Sequence, residues 1–241
     1  MSKRRLDTLL VEKGLAATTE KAKGVIMAAD VLVNERVVDK PGTLVDDSAT
    51  IRVLASPPFV SRGGLKLAHA LDGFQLDVTD MVTADIGAST GGFTDCLLQQ
   101  GARRVYAIDV GYGQLDYRLR IDERVVVMDK VNARYPFELP EKVDLATVDV
   151  SFISLQKVLP NVAPLLKDSG YLVVLVKPQF EARREQVGKG GLVKDPLVHA
   201  QVLGRFLLWS IDHRLRLRGL TPSPILGAAG NREFFILLTQ Q

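Results

Sequence analysis

The chain has 241 residues, 46% hydrophobic and 24% charged, a soluble globular mix with room for one large or two smaller domains. A net charge of +3 permits an anionic partner without requiring one, and a single cysteine excludes an internal disulfide and suits a reducing, cytoplasmic setting. No apolar run approaches the ~18 residues of a membrane-spanning helix, and the start Met1-Ser2-Lys3-Arg4-Arg5 lacks an apolar signal stretch.

Leu6, Leu9 and Leu10 fall at helical spacing, with Gly14 as the stop. Thr18 or Thr19 caps a second helix whose inner side carries Val25 and Ile26. Short strands follow at Val31–Val33, Val37-Val38 and Ile51–Val53, with turns at Asn34-Glu35 and Pro41-Gly42. Ala55-Ser56-Pro57-Pro58 breaks the pattern and reads as a linker, giving domains 1–55 and 61–241 joined by 56–60. Beyond it, strand-like and helix-like segments alternate, as in a doubly wound α/β sheet. A helix over Ser61–Leu71 precedes strands at Met81–Ile86, Val105–Asp109, Val125–Met128 and Leu145–Val150. Tyr171–Val176 reads as a strand buried on both faces, and a helix from Leu197 to Ile211 follows it. A closing antiparallel pair is expected at Leu215–Ile225 and Phe234–Leu238, turning at Gly227–Gly230.

The stretch Asp85-Ile86-Gly87-Ala88-Ser89-Thr90-Gly91-Gly92 joins the first strand of that sheet to a helix. An acid, a glycine turn and a helix start form a nucleotide-type cofactor site. With the acid leading, the site suits a cationic cofactor better than a pyrophosphate, and S-adenosylmethionine carries both an amino group and a sulfonium. Asp109 follows at close to the ~20-residue spacing at which an acid clasps ribose hydroxyls. NAD would use the same acid, but a full G-x-G-x-x-G is missing. Asp129, with Asn132 nearby, follows the third strand and could face an adenine or be an exposed loop acid.

Four apolar runs end in a charged residue at one sheet edge: Asp85, Asp109, Asp149 and Lys177. The Lys177 ammonium leaves an apolar wall and needs a partner, with Asp149 on the neighbouring strand the natural one. If the last strand is antiparallel, Glu233 at its start reaches the same edge, and Lys66 could reach across from its helix. His69, His199 and His213 lack metal-ligand spacing, so no metal is expected. Over residues 1–40, Lys3, Arg4, Arg5, Lys13, Lys21, Lys23, Arg36 and Lys40 outnumber the acids, a pattern an ordinary solvated face would also show. The glycine-rich loop Arg183–Gly191 is either a phosphate-backbone clamp or solvated surface. Arg214, Arg216 and Arg218 read as an outer strand face.

Five stretches, Ser61–Lys66, Asp85–Gly92, Asp149–Ser154, Val176–Glu181 and Gly230–Glu233, resemble in order the TlyA (haemolysin A) family of ribosomal RNA methyltransferases. The resemblance implies a small α+β RNA-binding domain, named after ribosomal protein S-four, ahead of an FtsJ-type Rossmann-like methyltransferase sheet. It implies a Lys66-Asp149-Lys177-Glu233 tetrad for ribose 2′-O-methylation of cytidine in ribosomal RNA. It also implies S-adenosylmethionine at Asp85, Gly87, Ser89, Gly91, Gly92 and Asp109, with Asp129 and Asn132 beside them. Candidate RNA contacts are Lys3, Arg4, Arg5, Lys21, Lys23, Arg62, Arg183, Arg184 and Lys189. Thr19, Ala29, Glu35 and Asp129 depart from the family pattern, and Glu35 adds turn strain and repulsion towards RNA. The rival readings are an NAD-dependent oxidoreductase, a non-catalytic ribosome-assembly factor and a pore-forming haemolysin. The last lacks any spanning or barrel pattern.

Overall fold

A computed structural model describes residues 3–27, 29–54, 58–227 and 230–240. The chain divides into two compact units, residues 1–57 and 58–241. Of the expected linker, residues 55–57 lie outside the described residues, as do Ala228 and Ala229 of the last turn.

The small unit runs β1 (Lys3–Arg5), α1 (Leu6–Glu12), α2 (Thr19–Met27), β2 (Val31–Val33), β3 (Arg36–Val37), β4 (Leu44–Asp46) and β5 (Ile51–Val53). Leu6, Leu9 and Leu10 of α1 meet Ala22 and Ile26 of α2 and Val31 and Val45 of the strands, all buried. Thr18 accepts from the Lys21 amide at 3.2 Å, which makes it the cap of α2. Asn34 and Glu35 both have positive φ (48° and 61°) in a two-residue turn between the paired Val33 and Arg36. This is the mirror-image turn whose twist suits a hairpin and which favours glycine at its second position. Ala29 is likewise left-handed, with φ 62°.

The large unit holds α3 (Arg62–Phe74), β6 (Val82–Ile86), α4 (Gly92–Gln99), β7 (Arg104–Asp109), α5 (Tyr117–Arg120), β8 (Val125–Asp129) and β9 (Val143–Val148). After these come α6 (Leu159–Val162), β10 (Leu166–Val176), α7 (Pro178–Glu181), α8 (Pro196–Asp212), β11 (Leu215–Pro222) and β12 (Phe234–Gln240). The seven-stranded sheet has the order β11-β12-β10-β9-β6-β7-β8. The five strands from β10 to β8 are parallel, while β12 and β11 are antiparallel. The strand order reverses between β6 and β9, the switch point at which an open sheet leaves a crevice for ligands.

Both faces are covered. Val82, Ala84 and Ile86 of β6 face the side carrying Val198 and Phe206 of α8. Leu67 and Leu71 of α3 and Cys96 and Leu97 of α4 cover the other face. Alternation along β6 then aims Asp85 beneath α4. Arg216 and Arg218 are exposed on β11, an edge strand whose ladder slips between Leu217 and Gly219.

Candidate active site

Three strand ends are stitched together at the switch point. Gly87 and Ala88 donate to the Ile108 carbonyl (2.8 and 3.1 Å), and the Asp149 amide donates to the Ile86 carbonyl (2.9 Å). Gly87 has φ +86°, and a Cβ there would lie 2.4 Å from the Asp149 carbonyl oxygen, so only glycine lets the strands approach. Between the ends of β6, β7 and β9 opens a cavity of about 1000 Å³. Gly87, Ser89, Asp109, Asn132 and Asp149 line it. Asp109 accepts from the Ser89 amide at 2.8 Å and the Gly111 amide at 2.7 Å, fixing its carboxylate at the cavity wall. It retains lone pairs for ribose hydroxyls. Asn132 also lines the cavity and accepts from the Arg134 amide at 3.1 Å.

Four of the expected cofactor residues, Asp85, Gly91, Gly92 and Asp129, do not line this cavity. Asp85 is fully buried, its oxygens accepting from Thr94 Oγ1 (2.7 Å) on α4 and Thr147 Oγ1 (3.0 Å) on β9. Burial pushes its carboxyl up to about 7 against the two hydroxyls, so it underpins the turn rather than offering an exposed anion. Gly91 caps α4 with φ +96°, and a Cβ there would collide with Leu119 and Leu115, so its role is packing. Asp129 turns to the Gly113 amide (3.2 Å) and Arg120 (3.5 Å). Gly92 and Ser89 line a smaller adjoining pocket of about 260 Å³ together with Arg62, Lys66, Asp149 and Gly227.

The four tetrad positions form two ion pairs at this edge. Lys177 Nζ lies 2.6 Å from Asp149 Oδ1 and donates to Ser151 Oγ at 2.8 Å. The Asp149 contact is charge against charge, because Oδ1 is buried and receives no well-aligned hydrogen bond among the described residues. Lys66 Nζ donates to Glu233 Oε2 at 2.6 Å, with Glu233 almost wholly buried. Phe234 pairs with Val176 in the antiparallel ladder, which puts Glu233 level with Lys177.

Several residues at this edge were not singled out from sequence. Phe152 is 91% exposed with φ 63°, a strained conformation for an aromatic residue, and packs against Phe180 at 5.0 Å. Glu181 accepts from Ser154 Oγ and the Leu155 amide, both at 2.7 Å, and burial raises its carboxyl. Ser151 and Asn231 complete the group. All lie inside motifs quoted above, but hydrogen bonds to loop backbone leave no periodic signature.

The basic candidates divide. Lys3, Lys21, Lys23, Arg62, Arg183, Arg184 and Lys189 are exposed. Arg4 is paired with Glu12, and Arg5 holds buried Asp7 through two bonds of 3.0 and 2.6 Å, so neither guanidinium is free. Both stand on β1, paired with β4. No cluster of metal-ligating side chains occurs among the described residues, and no described helix is long and apolar enough to cross a membrane.

The FtsJ-like methyltransferase family matches residues 59–240, and the S4 domain matches residues 4–51. YqxC of Bacillus subtilis is 52% identical over 240 residues, 98% of this chain and 85% of YqxC. The Mycobacterium tuberculosis protein named 16S/23S rRNA (cytidine-2′-O)-methyltransferase TlyA is 41% identical over 241 residues, covering 98% of this chain and 90% of that one. A solved Streptococcus thermophilus protein titled as a hemolysin superposes with TM-score 0.76 at 46% identity over 100% of this chain and 90% of its own. An S-adenosylmethionine-dependent methyltransferase of Mesorhizobium loti shares the fold alone, with TM-score 0.54 and 15% identity over 72% of this chain and 96% of its own. The glycine cradle at Gly87, the fixed Asp109 carboxylate and Asn132 fit an adenosine-bearing cofactor. NAD carries adenosine too, so it is the match to a methyltransferase family that sets the NAD reading aside. The chain belongs to the FtsJ-like methyltransferase family, in its TlyA (haemolysin A) branch with an S4 domain, and its cofactor is S-adenosylmethionine.

Proposed function

We propose that this enzyme methylates the ribose 2′-hydroxyl of a cytidine in ribosomal RNA, of the small subunit, the large subunit or both. The reading assigns residues 1–55 to RNA binding and 61–241 to catalysis, with the work done in the cytoplasm, where ribosomes are. One observation carries it: two lysine–carboxylate ion pairs stand at this sheet edge, and one member of each, Lys66 and Asp149, lines the smaller pocket beside the cofactor cavity. The TlyA relative's printed activity supports the same substrate.

Bound S-adenosylmethionine supplies a methyl group already activated on a sulfonium. The protein must then align the hydroxyl and take its proton. Asp109, Ser89 and Asn132 hold the cofactor's ribose and base. Lys177 stands at the attacking hydroxyl, either as a cation beside the developing alkoxide or, once its ammonium has given up a proton to solvent, as the amine that accepts the hydroxyl proton. Asp149 and Ser151 fix the position of Lys177 Nζ. Lys66 and Glu233 neutralise each other, so the pocket receives the ribose without a naked buried charge.

Lys177→Ala is expected to lower methyl transfer at least ~10³-fold while cofactor affinity stays within about twofold. The measurement is labelled-methyl transfer to subunits from cells lacking the enzyme, beside cofactor titration. Retained turnover would remove Lys177 from the chemistry. Mapping 2′-O-methylcytidines in ribosomal RNA with and without the enzyme assigns the subunit.

A further inference from the structure

The segment from Ala182 to Val193 carries Arg183, Arg184 and Lys189, all exposed. Its tip folds tightly: Gly188 and Leu192 bridge, with Gly188 donating to the Leu192 carbonyl at 2.9 Å, and Gly190 and Gly191 have φ near +75°. One buried side chain fastens the end of this loop. Asn231 is 2% exposed. Its Oδ1 accepts from the Val193 amide at 2.9 Å and its Nδ2 donates to the Gly191 carbonyl at 2.9 Å, spanning Leu192 from both sides. Buried His199 adds a second tie, with Nε2 2.9 Å from the Val193 carbonyl and its ring edge-on to Phe234.

Asn231 is also bound towards the tetrad. Its own carbonyl accepts from the Gly227 amide at 2.9 Å. Gly227 lies so close to Glu233 that a Cβ there would fall 1.9 Å from Oε1. Glu233 in turn holds Lys66. One amide therefore fixes the basic loop through its side chain and the cover over Glu233 through its backbone. An amide suits the place because it must donate to one peptide group and accept from the next, which a carboxylate cannot do.

We propose that Asn231 is a positioning residue coupling engagement of an RNA phosphate by Arg183, Arg184 and Lys189 to the geometry of the Lys66–Glu233 pair. The proposal rests on the methyl-transfer reading. It differs from mere packing in predicting that loop and tetrad respond together.

A double-mutant cycle tests it, with steady-state methyl transfer to ribosomal subunits from cells lacking the enzyme. Arg183→Ala with Arg184→Ala is expected to raise KM roughly tenfold through lost phosphate contacts and, because the tetrad responds to that engagement, to lower kcat several-fold. Asn231→Ala is expected to raise KM comparably and also to lower kcat about tenfold, with cofactor affinity unchanged. Adding the two arginine changes to Asn231→Ala should then move KM by no more than about twofold, because the loop is already displaced. Trypsin should also cut faster at Arg183, Arg184 and Lys189 in Asn231→Ala. Additive losses in KM, or normal kcat in Asn231→Ala, would overturn the coupling. If Asn231→Ala does not fold, Asn231→Ser, which keeps one hydrogen bond, carries the same expectations at smaller size. A wild-type enzyme that methylates neither subunit would sink the underlying reading itself, whereas an active wild type with additive losses sinks the coupling alone.

Discussion

In the small unit Arg52 and Glu35 pair at 2.9 Å with side chains 58% and 70% exposed, while in the large unit Lys66 and Glu233 pair at 2.6 Å with 13% and 2% exposed. Similar contacts do different things in these two settings. An exposed pair is worth about 0–1 kcal/mol and can open whenever a phosphate competes for the arginine. Removing one partner of a buried pair leaves an uncompensated charge and costs about 3–5 kcal/mol. The small unit thus presents charges that exchange partners readily, and the sheet edge presents charges held in register. The first arrangement suits reversible RNA capture and the second suits a reaction needing sub-ångström placement.

Displacing a buried carboxylate without removing it gives the largest effect in this comparison. Gly227→Ala would drive a methyl group into Glu233 Oε1. The obstacle is the far end of a flexible side chain, so the fold yields by swinging the carboxylate away from Lys66. Expected is a ~10–100-fold loss of kcat and a lowered melting temperature, with cofactor affinity near wild type. A variant with full kcat would show that the Lys66–Glu233 pair serves stability alone.

How far the sequence reveals this edge depends on which residues end apolar runs. Asp149 and Lys177 were legible because each terminates a buried strand, and Glu233 because β12 runs antiparallel. The sheet itself follows from the same runs. Asp85 obeys the same rule yet points inwards. β6 is buried on both faces, so alternation sends one oxygen to Thr147 in the adjacent register position and the other to α4. Nothing in the strand pattern distinguishes an acid aimed at the cavity from one aimed beneath the helix. β1 was missed because three consecutive basic residues carry no period, and its pairing comes from β4, some forty residues away. One-turn helices such as α5 and α7 are too short to show any periodicity.

Asp85 gives the next effect, one that fades as pH rises. Its folded-state value of about 7 lies above the ordinary carboxylate value of 3.8, so the native state holds this proton more tightly than the unfolded chain. The advantage is fully present below pH 3.8 and is lost as pH rises through 7, up to about 4 kcal/mol. Asp85→Asn removes the ionisation while keeping a polar group between the two threonine hydroxyls. The stability gap between variant and wild type should therefore grow in the variant's favour from pH 4 to pH 8, as read by denaturant unfolding. A gap independent of pH would mean that Asp85 ionises without penalty.

The smallest effect separates strain from charge on the exposed side of the comparison. Glu35 occupies a left-handed turn position, φ 61°, where glycine costs nothing and another residue about 1 kcal/mol. Glu35→Gly relieves that strain but gives up the exposed pair with Arg52 and loosens the unfolded chain, each worth well under 1 kcal/mol at this site. Stability should change by less than about 1 kcal/mol. Binding should respond more clearly, because a carboxylate leaves the surface and Arg52 is freed for a phosphate. The affinity for ribosomal RNA should rise a few-fold, and its dependence on salt should steepen by about one counterion. Glu35→Gln keeps the strained backbone and removes only the charge. If the two variants bind alike, charge governs this face, and if only Glu35→Gly binds better, the turn's shape does.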